Sequence, residues 1–142
     1  FLAGLGALRG GADIVRIASP VFEPVPDLIY ESLSGEVIGP EHTEQLIGLA
    51  EKADVVVCGN GLGGDSHEVV RAIAPFCRKA VFDADALRLP LPVASGEMIY
   101  TPHAGEFARI TNTTVPADPV ARARGIRETG IRGTILDGCG ES

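Results

Sequence analysis

With 142 residues, the chain can form one domain with its own hydrophobic core, but not two of ordinary size. Hydrophobic residues make up 45% of the chain and aromatic residues only 5%, which excludes wholesale disorder and favours a parallel sheet of aliphatic side chains covered by helices. The 12 basic and 19 acidic residues give a net charge of −7 without a sizeable Lys/Arg cluster, so a nucleic acid is not an expected partner.

Helical and extended patterns alternate along the first half of the chain. Residues 1–10 predict a helix, residues 13–18 a strand, and residues 28–32 a short extended piece after a proline-rich connection. A helix is predicted over residues 39–52, because proline suits the first helical position and two glutamates lie in the first turn. An apolar, β-branched strand over residues 54–58 follows directly.

The same alternation continues in the second half of the chain. The D-x-x-E pattern of Asp65 and Glu68 predicts a capped helix over residues 66–77. Strands are predicted over residues 80–83 and 97–100, where apolar side chains cluster between polar turns.

Two further helices and one strand complete the pattern. A turn that begins at Thr101 opens a helix that runs to about Ile110. Asp118 followed by a proline predicts the start of a helix that ends near Glu128, and residues 133–136 predict a last strand.

Strands separated by helices of about ten residues predict βαβ units and a doubly wound, mostly parallel sheet with helices on both faces. In such α/β sheets, ligands bind beyond the carboxyl ends of the strands. Unusual loops follow Cys58, Phe82 and Tyr100, each at the end of a predicted strand. Because these loops converge on one edge of the sheet, we expect a binding site there.

The cysteines and the apolar runs bear on cellular location. Cys58, Cys77 and Cys139 are odd in number and show no C-x-x-C spacing, which argues against a disulfide scaffold or a zinc site. No apolar run approaches the length of a membrane span, and no basic region precedes the apolar N-terminal stretch as it would in a signal peptide. We therefore expect a cytoplasmic protein without a membrane partner.

The first loop at the expected site is rich in glycine and extends over residues 59–64, with the sequence G-N-G-L-G-G. Glycines let a backbone approach a phosphate closely, and the helix that follows offers unpaired N–H groups. The loop also satisfies G-x-G-x-x-G, with Asp83 at the end of the next strand, which is the fingerprint of a Rossmann dinucleotide site. A glycine-rich connection without a ligand is the plainer interpretation.

The second loop carries two carboxylates, Asp83 and Asp85. Both can face the same side if the extended geometry of the strand persists through Asp85, because side chains alternate along a strand. They would then contact ligand hydroxyls or a magnesium-bound water. The alternative is that Asp85 caps the turn after the strand.

The third loop contains His103, two residues beyond the predicted end of a strand. Pro102 restricts Thr101 to an extended conformation, so the strand ends sharply and His103 lies at the entry to a helix. There it can hydrogen-bond a ligand or exchange a proton, or it can simply cap the helix. His42 and His67 lie at polar helix starts, and we expect both to be exposed to solvent.

Together these loops resemble the catalytic domain of the ADP/ATP-dependent NAD(P)H-hydrate dehydratases, a ribokinase-like family. The G-P-G-L-G loop of that family is matched by residues 59–63, its D-A-D-A-L segment by residues 83–87, and its T-P-H-x-G-E-F motif by residues 101–107. The resemblance extends over about residues 1–136. Three motifs in order are far more specific than one glycine loop, and a Rossmann site does not explain the histidine motif.

The resemblance implies a ribokinase-like fold and the repair of hydrated NADH or NADPH. In such enzymes, ADP or ATP phosphorylates the ring hydroxyl, and elimination of phosphate restores the reduced dinucleotide, with Mg²⁺ expected alongside the nucleotide. By matching position, the residues expected to bind the substrate are Gly59, Asn60, Gly61, Gly63, Asp83, Asp85, His103 and Glu106.

The chain also departs from the family pattern. Asn60 replaces the usual proline of the glycine loop, and the family's first strand and glycine-rich turn have no counterpart upstream. Residues 133–142 end where a Lys-Gly segment is expected, and the G-T-G-D motif with the expected catalytic aspartate does not follow, so no catalytic residue is assigned. We expect residues 1–142 to be one ribokinase-like domain that is truncated or gapped at both ends. Exposed strand edges then favour a homo-oligomer over a monomer.

Three other functions stay open on the sequence. A ribokinase-like small-molecule kinase would release a phosphorylated product in place of inorganic phosphate. A Rossmann-type oxidoreductase would bind unmodified NAD(H) tightly. A non-catalytic module would bind the hydrated dinucleotide without nucleotide hydrolysis.

Overall fold

The described part of this protein, a computed structural model, comprises residues 2–21, 25–112, 117–129 and 131–136. Helices and strands alternate along it as the sequence predicts. The helices are α1 (Leu2–Arg9), α2 (Thr43–Lys52), α3 (His67–Ile73), α4 (Ala104–Thr111) and α5 (Pro119–Glu128). The strands are β1 (Arg16–Ser19), β2 (Ile29–Ser32), β3 (Val56–Cys58), β4 (Lys79–Phe82), β5 (Glu97–Tyr100) and β6 (Thr134–Ile135).

All described strand pairs are parallel, which confirms the predicted α/β class. Strands β3, β4, β5 and β6 form one sheet in that order, and β1 and β2 form a separate two-stranded sheet. In the larger sheet, Cys58 pairs with Phe82, and Phe82 with Tyr100, so three neighbouring strands end in one row. This register brings the loops that follow β3, β4 and β5 to the same edge of the sheet.

The hydrophobic core lies between one face of this sheet and helices α2 and α3. Side chains alternate along each strand, and the inward set is fully or almost fully buried because the helices cover it. The core has no tryptophan and few aromatic rings, and it is built from small and aliphatic side chains as the composition predicts. Its buried members from the strands and these two helices are Leu46, Ala50, Cys58, Val69, Val70, Ile73, Ala80, Phe82, Met98 and Tyr100.

The opposite face of the sheet is less covered within the described residues. Val57 pairs with Val81, and Val81 with Ile99, so these side chains form one apolar row across three strands. Val55 and Val57 are each 52% exposed, whereas Val81 and Ile99 are half-buried. No described helix is long and apolar enough to cross a membrane.

Helix α2 is preceded by a 3₁₀ turn (Pro40–His42). The prediction that His42 is exposed is wrong, because this turn buries it. His42 is only 2% exposed. Its Nδ1 accepts a hydrogen bond from the backbone N–H of Gly39 at 3.0 Å, and its Nε2 lies 2.8 Å from the carbonyl oxygen of Ser34. The imidazole is therefore buried and bonded to two points of the loop that joins β2 to the 3₁₀ turn. His67 is also partly covered, with Nε2 3.0 Å from the carbonyl oxygen of Arg88.

The helix predicted over residues 66–77 is divided into three pieces. A 3₁₀ turn (Gly64–Ser66) comes first, α3 follows, and a second 3₁₀ turn (Ala74–Phe76) is last. The α-helix does not continue through this last turn, because Pro75 has no N–H for a helical hydrogen bond. The predicted cap by Asp65 is wrong, because neither helical start has a side-chain cap from its own segment. The side chain that serves this start comes from another loop, as described below.

The last two predicted elements are present. Asp118 caps α5, since its Oδ2 accepts a hydrogen bond from the backbone N–H of Ala121 at 2.9 Å. The final strand is shorter than predicted and extends over Thr134–Ile135. Residues 137–142, which include Cys139 and the segment where a Lys-Gly was expected, lie outside the described residues.

Candidate functional site at the carboxyl edge of the sheet

The three loops predicted to converge are joined by backbone hydrogen bonds just beyond the strand ends. The N–H of Asp83 donates to the carbonyl oxygen of Cys58 at 2.9 Å, and the N–H of Thr101 donates to that of Phe82 at 3.1 Å. The ladder between parallel strands therefore continues one residue past each end. Each loop leaves the sheet from a defined point, and the site is built on a rigid edge.

Gly59 is a structural requirement at the start of the glycine loop. It is buried, its φ is +123°, and a Cβ at this position would overlap the carbonyl oxygen of Asp83. No other residue type combines this backbone conformation with so close an approach. Gly59 thus sets the contact between the first and second loops, and it offers no exposed surface to a ligand.

Gly61 and Gly63 have a different environment from Gly59. Their φ values are +72° and +81°, both residues are exposed, and a Cβ on either would meet no atom within 4 Å. The backbone at these positions is therefore open to a ligand. Of the glycines predicted to bind the substrate, these two are the ones whose surface a ligand can reach.

Both carboxylates of the second loop contact the glycine loop. The Nδ2 of Asn60 donates to Asp83 Oδ2 at 2.9 Å, and the N–H of Gly63 donates to Asp85 Oδ2 at 3.0 Å. Asp85 thereby caps the start of the helical segment that Asp65 was expected to cap. Two side chains more than twenty positions away along the chain hold the glycine loop in place.

The two carboxylates both contact the glycine loop, but not through a continued strand as the sequence suggested. Extended geometry does not persist beyond Asp83, because Ala84–Ala86 form a 3₁₀ turn and Ala84 has a φ of +47°. The alternative that Asp85 caps its own turn is also wrong, since that turn has no side-chain cap. The carboxylates are instead directed by the sharp turn between them.

The electrostatics of the glycine loop bear on what it can bind. The N–H of Gly63, the first donor of the helical segment, is already bonded to the carboxylate of Asp85. The carboxylate of Asp83 lies nearby, where it accepts from the side chain of Asn60. A phosphate placed at Gly63 would meet these negative charges. In the part of the chain that the structure describes, no group of three or more His, Cys, Asp or Glu side chains could hold a metal ion.

His103 is the N-cap of helix α4, and its imidazole is also exposed. Its Nδ1 accepts from the backbone N–H groups of Gly105 at 3.0 Å and Glu106 at 3.3 Å. In return, the Oε2 of Glu106 accepts from the backbone N–H of His103 at 3.0 Å, which completes a reciprocal capping box. The His103 side chain is 70% exposed, so the cap does not remove it from solvent. The two interpretations of this histidine, a cap and a ligand-facing group, are compatible.

Two buried rings underlie the second and third loops. Phe82 and Tyr100 stack with their centroids 5.7 Å apart, and the Tyr100 hydroxyl donates to the carbonyl oxygen of Pro92 at 2.6 Å. Burial raises the pKa of the Tyr100 phenol. Neither ring was predicted to be part of the site. The signal in the sequence was that Tyr100 ends a predicted strand and that Phe82 comes one residue before the end of another.

A buried thiol lies beneath the glycine loop. Cys58 ends β3 immediately before Gly59, and burial in the core raises the pKa of its thiol to about 12, with a smaller contribution from Cys77. Burial also raises the pKa of Cys77. Both cysteines are free thiols, and neither is activated as a nucleophile.

The predicted site residues thus fall into two groups on neighbouring loops. Six of them belong to the glycine loop or to the second loop, which is bonded to it. His103 and Glu106 form the capping box of the third loop. Among the described residues, no hydrogen bond joins His103 to Asp83 or Asp85. The six residues of the first group are Gly59, Asn60, Gly61, Gly63, Asp83 and Asp85.

Comparisons with known proteins agree on one family. The sequence pattern of the NAD(P)H-hydrate dehydratase family matches residues 1–136. The chain is 53% identical over 136 residues to the bifunctional NAD(P)H-hydrate repair enzyme Nnr of Methanospirillum hungatei, covering 96% of this chain and 28% of that protein. It is 34% identical over 116 residues to the ADP-dependent (S)-NAD(P)H-hydrate dehydratase of Haloterrigena turkmenica, covering 77% of this chain and 45% of that protein.

A solved structure shares the fold. The ADP/ATP-dependent NAD(P)H-hydrate dehydratase of Bacillus subtilis, co-crystallised with ATP and Mg²⁺ and soaked with CoA, superposes with a TM-score of 0.68 at 25% sequence identity. The superposition covers 96% of this chain and 52% of that one. The chain therefore spans between about a quarter and a half of the length of these similar proteins.

Proposed function

The chain belongs to the NAD(P)H-hydrate dehydratase family, and from that membership we propose that the protein containing it repairs hydrated NADH and NADPH. The observation that supports this most directly is the convergence of the three family motifs. The glycine loop, the loop of Asp83 and Asp85, and the turn of His103 lie at one edge of a parallel sheet. This is the location where α/β proteins of this kind bind their ligands.

The proposed reaction proceeds by phosphoryl transfer and elimination. The hydroxyl of the hydrated nicotinamide ring releases its proton, its oxygen forms a bond to the terminal phosphorus of ADP or ATP, and the bond from that phosphorus to the nucleotide's leaving oxygen breaks. The carbon–oxygen bond of the ring then breaks with loss of a proton from the neighbouring carbon. Inorganic phosphate leaves, and the reduced dinucleotide is restored.

The described residues would bind and orient the hydrated dinucleotide. Gly61 and Gly63 present exposed backbone, and the exposed imidazole of His103 presents a polar edge from the third loop. Asp83 accepts from Asn60 and keeps its second oxygen for a substrate hydroxyl. Phosphate groups fit this acidic loop poorly, so we place the ring and ribose end of the substrate here and the phosphates away from it.

The use of a nucleotide and Mg²⁺ is also part of the proposal, and its support comes from the relatives. The relatives named for ADP-dependent or ADP/ATP-dependent activity support nucleotide use. The expected catalytic aspartate is absent from this sequence, so the described residues supply no group to which that role is assigned. A cytoplasmic location and a homo-oligomeric state also belong to the proposal, and light scattering after gel filtration tests the oligomeric state.

The decisive experiment uses the full-length polypeptide that carries this chain. It is incubated with hydrated NADH, Mg²⁺ and either ADP or ATP, while NADH absorbance and inorganic phosphate are followed together. We expect both to rise in parallel with one of the nucleotides. A phosphorylated product without phosphate release would identify a small-molecule kinase instead. Binding of hydrated NADH without turnover would identify a non-catalytic module.

A matched pair of variants ties this activity to the glycine loop. Gly61→Val places a β-branched side chain on the exposed backbone, so we expect a marked loss of affinity for hydrated NADH. Val57→Ala removes a half-exposed side chain from the sheet face opposite the core, outside the three loops, and should leave affinity unchanged. Equal behaviour of the two variants would contradict a substrate site at the glycine loop.

A further inference from the structure

The capping box at α4 contains one contact that a cap does not require. The Oε1 of Glu106 lies 3.4 Å from Nε2 of His103, on the far side of the ring from the capping nitrogen. Helix capping is already complete through Nδ1 of His103 and Oε2 of Glu106. The second carboxylate oxygen therefore acts on the imidazole itself.

These contacts define the protonation pattern of the ring. Nδ1 faces two backbone N–H donors and must present its lone pair to them. A neutral imidazole with an unprotonated Nδ1 carries its proton on Nε2, which is the nitrogen that faces the Glu106 carboxylate. Donor and acceptor groups on both sides of the ring thus select the same tautomer.

Burial and chain geometry make Glu106 suited to this task. The Glu106 side chain is only 11% exposed, whereas the His103 side chain is 70% exposed, so the histidine is far more accessible to solvent than the glutamate. A Cβ on Gly105 would lie 3.0 Å from Cε1 of His103, so the absence of a side chain there lets the ring fold back over the helix start. The ring is contacted at Nδ1 and at Nε2, and 70% of the side chain remains exposed.

We propose that Glu106 is a positioning residue, which holds the His103 imidazole in one orientation and as the Nε2–H tautomer, ready to donate to an acceptor oxygen of the substrate. The 3.4 Å contact is long for a hydrogen bond, so Nε2–H retains the capacity to donate to a ligand. The inference rests on the proposed function for the identity of that ligand. Glu106 was expected to bind the substrate itself, whereas in this proposal it orients His103, which binds the substrate.

Glu106→Gln separates this role from capping. Glutamine serves as well as glutamate in a capping box, because its amide oxygen accepts from the backbone N–H of His103. Its NH₂ group would then face Nε2–H, where two donors oppose each other. Either this donor–donor clash at Nε2 or the cap at Nδ1 must then give way, so we expect the ring to leave its fixed orientation and sample both tautomers. Helix α4 should persist, because the glutamine still accepts from the backbone N–H of His103. Glu44→Gln, an exposed glutamate in the first turn of α2, is the matched control for removing one negative charge at a helix start.

The first readout is the ¹⁵N NMR spectrum of the histidine rings in the full-length protein without substrate, assigned by the signal that His103→Asn removes. We expect an unprotonated Nδ1 and a protonated Nε2 for His103 in the parent protein and in Glu44→Gln. In Glu106→Gln this pattern should be averaged or inverted. An unchanged pattern in Glu106→Gln would overturn the proposal.

The second readout is the kinetics of NADH restoration. We expect Glu106→Gln to raise the KM for hydrated NADH about five- to tenfold, with a smaller change in kcat, because a binding contact is weakened. Wild-type KM in Glu106→Gln would overturn the role in substrate binding. If the parent protein restores no NADH at all, the proposed function fails, and the ring signals still decide whether Glu106 positions His103.

Discussion

The glycine loop and the histidine turn follow β3 and β5, the two strands on either side of β4, yet they are held in opposite ways. The glycine loop depends on side chains from another loop, since Asn60 bonds to Asp83 and Gly63 bonds to Asp85. The histidine turn is stabilised within itself, by contacts between His103 and the residues two and three positions later. A change in the second loop should therefore disturb the first, whereas the third should tolerate changes elsewhere.

One sheet edge thus combines a loop held by long-range hydrogen bonds with a turn held by short-range ones. A loop tied across a long sequence separation forms only when both strands are in place. A capping box forms with its own helix and needs no distant partner. In this protein the exposed backbone that would receive a ligand belongs to the first kind, and the exposed imidazole belongs to the second.

The largest expected effect tests the close approach between the first and second loops. Gly59→Ala should lower the free energy of unfolding by about 3 kcal/mol or more, because a Cβ would overlap the Asp83 carbonyl and adopt a φ of +123°. Gly61→Ala is the matched control, with open space around its Cβ, and should cost about 1 kcal/mol. Equal losses in urea denaturation would show that the two loops are not in contact.

The next effect concerns the buried thiol beneath the glycine loop. In the unfolded chain the Cys58 thiol ionises around its ordinary pKa of 9.0, whereas burial raises its folded pKa to about 12. Between these values the folded state binds the extra proton, so the free energy of unfolding falls by up to about 1.4 kcal/mol per pH unit as pH rises. Below pH 9 this contribution is fully present.

Urea denaturation between pH 8 and about 11, in the presence of a reductant, measures this loss. Cys58→Ala removes the titrating group from both states, so its stability should fall less steeply over that range than the stability of the parent protein. Cys77 and Tyr100, whose pKa values are also raised by burial, remain in both proteins. Identical slopes would mean that the Cys58 thiol is accessible to solvent in the folded state.

A smaller effect tests the long-range cap of the glycine loop. Asp85→Ala should lower stability by about 1 kcal/mol and speed hydrogen exchange of the Gly63 amide, because that N–H loses its acceptor. Asp85→Asn retains an acceptor oxygen and should restore most of the protection. Unaltered exchange at Gly63 in Asp85→Ala would show that the glycine loop is held without the second loop.

The smallest effect is expected in the histidine turn. His103→Asn should change stability by no more than about 0.5 kcal/mol, since asparagine caps helices well, whereas His103→Ala should cost about 1 kcal/mol. Both variants should weaken binding of hydrated NADH, because both lack the ring. A normal KM for hydrated NADH in either variant would exclude His103 from the substrate site.

The order of elements followed from the sequence because local signals suffice for it. The strand over 97–100 was predicted with its observed limits, and the start of α5 follows from Asp118 and Pro119. The histidine turn was also foreseen as a helix entry, since its contacts lie within three residues. The three motifs likewise indicated the family that the comparisons then showed.

What local pattern could not provide were the contacts made across the fold. Asp65 has the right spacing to cap its own helix, yet Asp85 from a different loop accepts the N–H of Gly63 at the start of that helical segment. His42, at a polar helix start, is buried against the loop that precedes it. The sequence alone determined the order of the elements, their parallel arrangement and the convergence of the three loops, because these depend on periodicity and turn chemistry. Only the tertiary structure decided which carboxylate meets which loop, because such pairings depend on the register of neighbouring strands and on a sharp turn at Ala84.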